Sequence, residues 1–436
     1  MTPAKGFAEM KDSGIEWMGE IPTDWEIVKL KYFISDYKAG PFGSSLITSK
    51  LVTSGNILVY TPEHIAKKSV DLEKNLYLPD DRLEDMEQFI VKPGDIIFPI
   101  VGSLGRSMLI TEDMPLGIIN QRLAKFRLTS EKLSTAYFLW LFSKSSFYNT
   151  FIELNCRGSI IVNLTKEIVC AMPVPLPPLD EQSAIAAYLD TQCVKIDEII
   201  AQAKASIEDY RQWKASIIYD AVTKGLDPNV EMKDSGIEWI GRMPSDWAII
   251  RVKNLLAEIN DRSETGSEEP LSMSQVLGIV PSSMIAVANP ATSYVGAKIV
   301  RPNDLVFNKL KAHLGVFAVS NYDGLVSPDY AVYRANERAN PKFLEYLFKT
   351  PNCIQEFKKY ITGVGAGLSR LYTSDLFNIK VALPVIDVQK HIVEYLNDFC
   401  SQADALIDEK QSLIDDLESY KKSLIYEVVT GKRRVC

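Results

Sequence analysis

Met10-Lys11-Asp12-Ser13-Gly14-Ile15-Glu16-Trp17 recurs unchanged as Met232-Lys233-Asp234-Ser235-Gly236-Ile237-Glu238-Trp239, 222 residues later. The match continues: Gly19, Pro22, Asp24 and Trp25 return as Gly241, Pro244, Asp246 and Trp247. An identity of this length and mixed composition does not arise by chance within one chain. A second repeat has an offset of 207, and in it Asp180, Gln182, Ile185, Tyr188, Leu189, Asp197, Tyr219, Val222 and Thr223 match Asp387, Gln389, Ile392, Tyr395, Leu396, Asp404, Tyr426, Val429 and Thr430. A period above 200 residues excludes solenoids and propellers and means a duplicated domain.

Between the repeats, Val91-Lys92-Pro93-Gly94-Asp95-Ile96-Ile97-Phe98 resembles Val300-Arg301-Pro302-Asn303-Asp304-Leu305-Val306-Phe307. Each reads as a turn followed by a buried strand. The loops that follow differ: Pro99 to Arg106 stands opposite Asn308 to Gly315. Two recognition surfaces for different targets, built on one scaffold, would look like this.

Two segments read as long helices. In 181–223, Ile196, Ile200, Ala203, Ile207, Tyr210, Ile217 and Ala221 follow three-four spacing, with Lys214 as the polar interruption. Asp180 is the expected N-cap, and Gly225 with Pro228 the expected stop. In the second copy, Val388 to Val429, the expected stripe is Ala403, Leu406, Ile407, Leu413, Leu417, Tyr420 and Leu424, with Asp387 as cap. Each helix would be roughly 65 Å long at 1.5 Å per residue. A stripe of that length needs another helix to cover it, so the two copies are expected to pair as an antiparallel coiled coil. Packing of each helix on its own globular segment is the alternative. Met172-Pro173-Val174-Pro175-Leu176-Pro177-Pro178 is expected to form a stiff extended connector ahead of the first helix.

The expected fold class is therefore α+β. Two similar globular domains, 1–178 and 232–385, alternate with two long helical segments, 179–231 and 386–436.

The 436 residues carry a net charge of −8, with 46% hydrophobic and 24% charged residues. That is a globular composition. No run reaches the length of a membrane span, and Met1 to Met10 has no apolar signal core, so the cytoplasm is the expected compartment. The acid is unevenly placed. Residues 179–231 hold 5 Lys+Arg against 10 Asp+Glu, and 386–436 hold 7 against 10. The intervening 26–170 and 248–380 are mildly basic, 17 against 16 and 15 against 12. This split fits two segments that bind polyanion and two that bind protein, and it fits equally well two solvated helix surfaces.

No catalytic or cofactor site is legible. The six cysteines contain no CxxC pair, and the three histidines lie far apart. A Walker loop is absent, and Gly363-Val364-Gly365-Ala366-Gly367 lacks the spacing of a dinucleotide loop. Ser327-Pro328-Asp329-Tyr330 approaches the [DNS]PP[YF] pattern of an amino-methyltransferase, but Asp329 replaces the second proline, and the stretch reads as a strand-end turn. A nuclease pattern pairing Asp329 with Glu356 and Lys358 places its second half on an amphipathic helix with solvated charges. No metal or cofactor is expected.

The candidates for nucleic-acid contact are loop residues in which cations sit beside glycine and small polar groups. They are Lys38, Phe42 and Ser44 around Gly40-Pro41-Phe42-Gly43, together with Ser103, Arg106, Gln121, Arg122, Arg157, Lys309, Lys311 and Arg370.

Together these features resemble the specificity subunit of type I restriction–modification enzymes. The carriers are the duplicated opening, Gly40-Pro41-Phe42-Gly43-Ser44, the run Leu176-Pro177-Pro178-Leu179-Asp180-Glu181-Gln182, and the Tyr219…Val222-Thr223-Lys224-Gly225 end. The resemblance covers nearly the whole chain. It implies two target-recognition domains that each read half of a split double-stranded DNA site, held apart by paired helices. It also implies two modification subunits, which bring S-adenosylmethionine, and ATP-dependent restriction subunits, with no catalysis by this chain. The alternatives are a DNA-modifying enzyme, either methyltransferase or nuclease, and a protein-only scaffold. The second copy departs at Leu383-Pro384-Val385-Ile386-Asp387-Val388-Gln389, which loses a proline and the glutamate. That loss is expected to matter only for the local start of the helix.

Overall fold

A computed structural model describes residues 9–42, 46, 49, 51–102, 104–142, 147–155, 163–275, 277–285, 293–361 and 370–435. The chain divides into two compact units, residues 1–203 with 412–436 and residues 204–411. Each unit combines a mixed α/β head with parts of two long helices, Leu179–Lys224 and Ile386–Val429.

The duplicated opening folds the same way in both units. Met10–Asp12 pairs antiparallel with Glu20–Pro22, and Met232–Asp234 pairs with Arg242–Pro244. The aspartate of each copy accepts the amide of the glycine two residues on (Asp12 from Gly14, Asp234 from Gly236), which closes the turn. The tryptophans that follow, Trp25 and Trp247, are buried.

Each head is centred on a four-stranded antiparallel sheet. In the first unit the order is Ile34–Ala39, Leu123–Leu128, Asp95–Pro99, Met108–Leu109. In the second it is Leu256–Ile259, Ala331–Ala335, Leu305–Phe307, Phe317–Val319. The turn expected from the Lys92–Asp95 and Arg301–Asp304 stretches is present. Gly94 and Asn303 occupy the left-handed region at φ +89° and +71°, which glycine and asparagine tolerate best. The aspartate after each turn is buried and fully partnered. Asp95 accepts the Lys92 amide and pairs with Lys125 and Arg127, while Asp304 accepts the Arg301 amide and holds Arg334 through two hydrogen bonds of 2.8 Å. Aromatic rings fill the sheet's inner face: Phe98, Phe126 and Phe142 in one unit, Phe307, Phe317 and Tyr333 in the other. Beside the common sheet the units differ. The first has a three-stranded sheet with a parallel pair, Ile57–Tyr60 on Gly117–Ile119. The second has two separate antiparallel pairs instead, Leu271–Ser274 with Gly278–Pro281 and Lys298–Val300 with Gly324–Val326.

The helices start two residues earlier than expected, so Asp180 and Asp387 lie in the first turn and do not cap it. Their carboxylates still face the positive helix end. The proline-rich connector is extended, and part of it is paired as a strand. Pro173–Leu176 is a strand paired with Glu26–Lys29, as Lys380–Leu383 is with Ala248–Arg251. Proline tolerates this position because such a two-stranded ribbon leaves one strand edge without a partner.

The first helix follows the expected stripe: Ile196, Ile200, Ala203, Ile207 and Ala221 are buried. In the second helix the phase differs. Ala403, Ile414 and Leu424 are buried, but Leu406, Leu413 and Tyr420 are 38%, 41% and 48% exposed. Two apolar heptads coexist on that helix, and the partner selects the one formed by Ala403, Ile407, Ile414 and Leu424. A lysine–aspartate pair crosses the seam in each unit. Lys214 bonds Asp404, and its repeat equivalent Lys421 bonds Asp197, both at 2.6 Å, so the helices run antiparallel. These pairs are partly exposed and contribute at most about 1 kcal/mol each; their stronger effect is on register.

A buried glutamine ties each helix to its head. Gln182 accepts the Ser134 amide and donates to the carbonyls of Lys132 and Pro177. Gln389 accepts the Asn340 amide and donates to Arg338 and Pro384. At the other end of each helix, Tyr219 donates to the Ile240 carbonyl and Tyr426 to the Trp17 and Met18 carbonyls. The end of the chain thus packs on its own opening in the first unit, as the end of the first helix packs on the second opening.

Among the described residues Cys193, Cys353 and Cys400 are buried free thiols, no cluster of residues could hold a metal, and no helix is long and apolar enough to cross a membrane. Replacing Gln389 with leucine leaves one amide and two carbonyls without partners. We expect a loss of about 2–4 kcal/mol in urea unfolding of the full chain, with a much smaller loss for the exposed-face variant Leu406→Gln.

Candidate nucleic-acid interface

Strand order brings the expected loops together. In the first unit, Gly40 follows one strand, Asn120–Arg122 precede the next, and Ile100–Gly102 follow the third. All three stretches therefore emerge at one end of the four-stranded sheet, where Leu123 faces Pro99 and Ala124 faces Ala39. Backbone hydrogen bonds link them: Gly40 donates to the Leu123 carbonyl at 2.8 Å and Ile100 to that of Arg122 at 2.9 Å. Leu164 donates to Ile100, which adds the segment ahead of the helix Lys166–Ala171. Asn120 accepts the Arg122 amide with its side chain, fixing a turn that leaves Gln121 and Arg122 exposed. Gly40 is required by close approach, since a Cβ there would lie 1.9 Å from the Asn120 carbonyl oxygen. Phe42, two residues on, is 75% exposed. An exposed aromatic beside an arginine and a glutamine can stack on bases or wedge between them while the polar groups reach base edges.

The remaining first-unit candidates lie elsewhere. Lys38 sits within its strand, with its ammonium 5.4 Å from the Phe89 ring centre, in a cleft of about 510 Å3 that also holds Lys92, Lys125 and Arg127. Arg106 lines a separate cleft of about 650 Å3 with Lys68, Trp140, Asp190, Asp197 and Lys421. Ser44, Ser103 and Arg157 lie outside the described residues, as does the Gly363–Gly367 stretch.

The second unit brings the corresponding loops to the same end of its sheet. Asn308–Lys311 follow one strand, and Ser327–Tyr330 form the expected strand-end turn, closed by Tyr330 donating to the Ser327 carbonyl at 3.0 Å. Leu371 donates to the Lys309 carbonyl, as Leu164 does to Ile100, and this draws Arg370 to the site. The chemistry here is different. Lys309 and Lys298 each stand 3.6 Å from Glu258. Burial pushes the Glu258 carboxyl up, but hydrogen bonding from Thr373 and the two lysines outweigh it and hold the group below the usual range. Burial also lowers the Lys298 ammonium, and Glu258 only partly opposes it. Lys311 is exposed. Glu356, half of the nuclease pattern, is on the helix Pro351–Tyr360 and pairs with Lys359 at 2.9 Å.

Sequence reasoning missed Asn120, Glu258, Lys298 and the Lys125–Arg127 pair. The alternation of Lys125 and Arg127 places both on one strand face and could have shown the pair. Glu258 and Lys298 meet only through tertiary pairing.

The family model described as "Type I restriction modification DNA specificity domain" matches residues 22–209 and again 246–415. The chain is 23% identical over 432 residues to the type I restriction enzyme MjaVIII specificity subunit of Methanocaldococcus jannaschii, covering 95% of this chain and 94% of the relative. It is 21% identical over 312 residues to the EcoKI specificity subunit of Escherichia coli, covering 70% and 67%. Among solved structures, a chain from a study of assembly and conformational transition of the type I R-M system matches with a TM-score of 0.70 at 17% identity, covering 94% of this chain and 98% of that one. The HsdS subunit from Thermoanaerobacter tengcongensis matches with a TM-score of 0.54 at 18% identity, with coverage of 94% and 98%. A sheet built twice, with a family match on each copy, makes this chain a member of the type I restriction–modification specificity subunits, with two recognition domains.

Proposed function

We propose that this chain is the DNA-reading, non-catalytic member of a complex with modification subunits, two in number, and restriction subunits. Each head reads one half of a bipartite, asymmetric site in double-stranded DNA, and the paired helices set the spacing and dock the modification subunits. The observation that carries the reading is one sheet made twice, each with its loops gathered at the same end, but with different residues in those loops. Gln121, Arg122 and Phe42 would act in the first head, and Lys309, Lys311 and Arg370 in the second. Lys38, Ser44, Ser103, Arg106 and Arg157 complete the proposed contact set. The bounds 1–178, 179–231, 232–385 and 386–436 describe the corresponding functional segments, and the working compartment is the cytoplasm.

The test uses the full chain assembled with its modification subunits and a set of duplexes. Binding should select one bipartite sequence and be lost when the spacer changes by several base pairs. It should also fall steeply with salt, as phosphate contacts require. Equal binding at every spacer length would overturn the reading. The purified chain with S-adenosylmethionine should transfer no methyl group to DNA, and transfer abolished by Tyr330→Ala would favour the enzyme reading.

The two heads should also be separable by mutation. Gly40→Ala forces apart the Gly40 and Asn120 segments, and we expect at least tenfold weaker binding with discrimination lost in one half-site only. Arg122→Ala should cost about 1–3 kcal/mol for a base contact and relax the same half-site. Mapping modified adenines in cells carrying each variant checks both outcomes.

A further inference from the structure

The two units treat the same corner differently. In the first, the end of the chain crosses the foot of its helix pair. Arg434 is ion-paired with Asp24, and its Nε is 3.6 Å from Glu181. Glu181 in turn accepts the Trp25 indole N–H at 3.1 Å. The Arg433 side chain hydrogen-bonds Tyr420 beside Tyr188. The Lys432 ammonium lies 4.7 Å from the Tyr426 ring centre. Three consecutive basic residues thus occupy a surface made of carboxylates and aromatic rings.

The second unit keeps several of those groups and lacks the three consecutive basic residues, although the Lys224 ammonium lies 5.9 Å from the Tyr219 ring centre. By the repeat offsets, Asp246 and Trp247 stand for Asp24 and Trp25, Tyr395 for Tyr188, Trp213 for Tyr420 and Tyr219 for Tyr426. By the same offset Asp227 aligns with Arg434, although the left-handed glycine packed on the proline and tryptophan is Gly225 here and Gly431 there, one residue out of that register, and Val388 replaces Glu181. A cleft of about 450 Å3 is open there, lined by Lys224, Asp227, Asp246, Trp247, Val388 and His391 among others. Lys224 is paired with Asp220. Among the described residues Asp246 has no ion pair. Trp213 is 48% and Tyr395 41% exposed, and both rings rest on Phe399. These two rings do not line the cleft itself but hold the places of Tyr420 and Tyr188, which the basic segment reaches in the first unit; exposed tryptophan and tyrosine are common interface anchors, and arginine stacks on such rings while pairing with carboxylate.

We propose that this cleft at the foot of the helix pair in the second unit docks an arginine-bearing basic segment of a modification subunit. The equivalent place in the first unit is filled by the chain's own Lys432–Arg434. The two helix feet are therefore inequivalent toward the partner. This proposal rests on the reading of the chain as a member of a multisubunit complex.

A labelled peptide with the sequence of Thr430–Val435 serves as the probe. Titrated against the full chain, it should bind at one site. Asp246→Asn with Trp213→Ala should weaken it at least tenfold. Asp227→Arg with Val388→Glu, which puts the chain's own arginine and a carboxylate into the cleft lining, should block it. A peptide with both arginines changed to glutamate should not bind. Absence of binding at millimolar peptide, or equal binding to the Asp246→Asn, Trp213→Ala chain, would overturn the proposal. Purified modification subunit should displace the peptide. Failure to displace it, or self-association of the chain through this cleft in sedimentation, would overturn the assigned partner. Peptide binding needs no DNA, so failure here is distinguishable from failure of the two-half-site reading.

Discussion

A buried amide ties the start of each long helix to its head. Gln182 and Gln389 have no exposed surface, and each makes three hydrogen bonds to backbone groups of two different segments. An amide has both donor and acceptor groups, so one side chain can satisfy the loop ahead of a helix of the head and the last turn of the connector together. Leucine would supply the volume and none of the partners. The direction in which the helix leaves the head depends on this joint, and the strands paired just before it (Pro173–Leu176, Lys380–Leu383) remove the remaining freedom.

The same economy governs the heads. One carboxylate, Asp95 or Asp304, closes the turn, anchors its strand and holds an arginine from the neighbouring strand. A buried ion pair is weak support for stability alone, because desolvation offsets the attraction. Here the carboxylate is also hydrogen-bonded to backbone, and the arginine reaches it from the next strand. That specifies strand neighbours and register, and register decides which loops share the sheet end. The loops at that end differ between the two units while the sheet is kept. Gly40 is constrained by its contact with Asn120, which is too close for any side chain.

Much of this was legible in the sequence, for identifiable reasons. The repeat shows in the identities themselves, and the helices show in the spacing of Ile196, Ile200, Ala203 and Ile207. The phase of the second helix was not legible, because Leu406 and Leu413 compete with Ala403 and Ile414 as an apolar stripe and only the partner helix decides between them. Pro173 and Pro175 argue for a stiff extended connector; the segment is extended, and its pairing with Glu26–Lys29 was the part not legible, because a ribbon edge accepts proline. At the candidate interface, glycine beside cation picked out Gly40, Gln121 and Arg122, which adjoin one another, together with Lys38 and Arg106, which line two other clefts. Strand order and not local composition sets which of them share a sheet end. The loss of the glutamate at Val388 was expected to be a local matter. It changes which residues line an open cleft.

The division of the chain also has a consequence for its biogenesis. Residues 204–411 form one unit from a continuous stretch, whereas the other unit needs both the opening residues and the final helix turns, where Tyr426 reaches Trp17 and Met18. Domains fold as the ribosome releases them. The later-encoded unit can therefore reach its native state first. The earlier one must wait, with part of its apolar surface uncovered, until the segment carrying Tyr426 has been made.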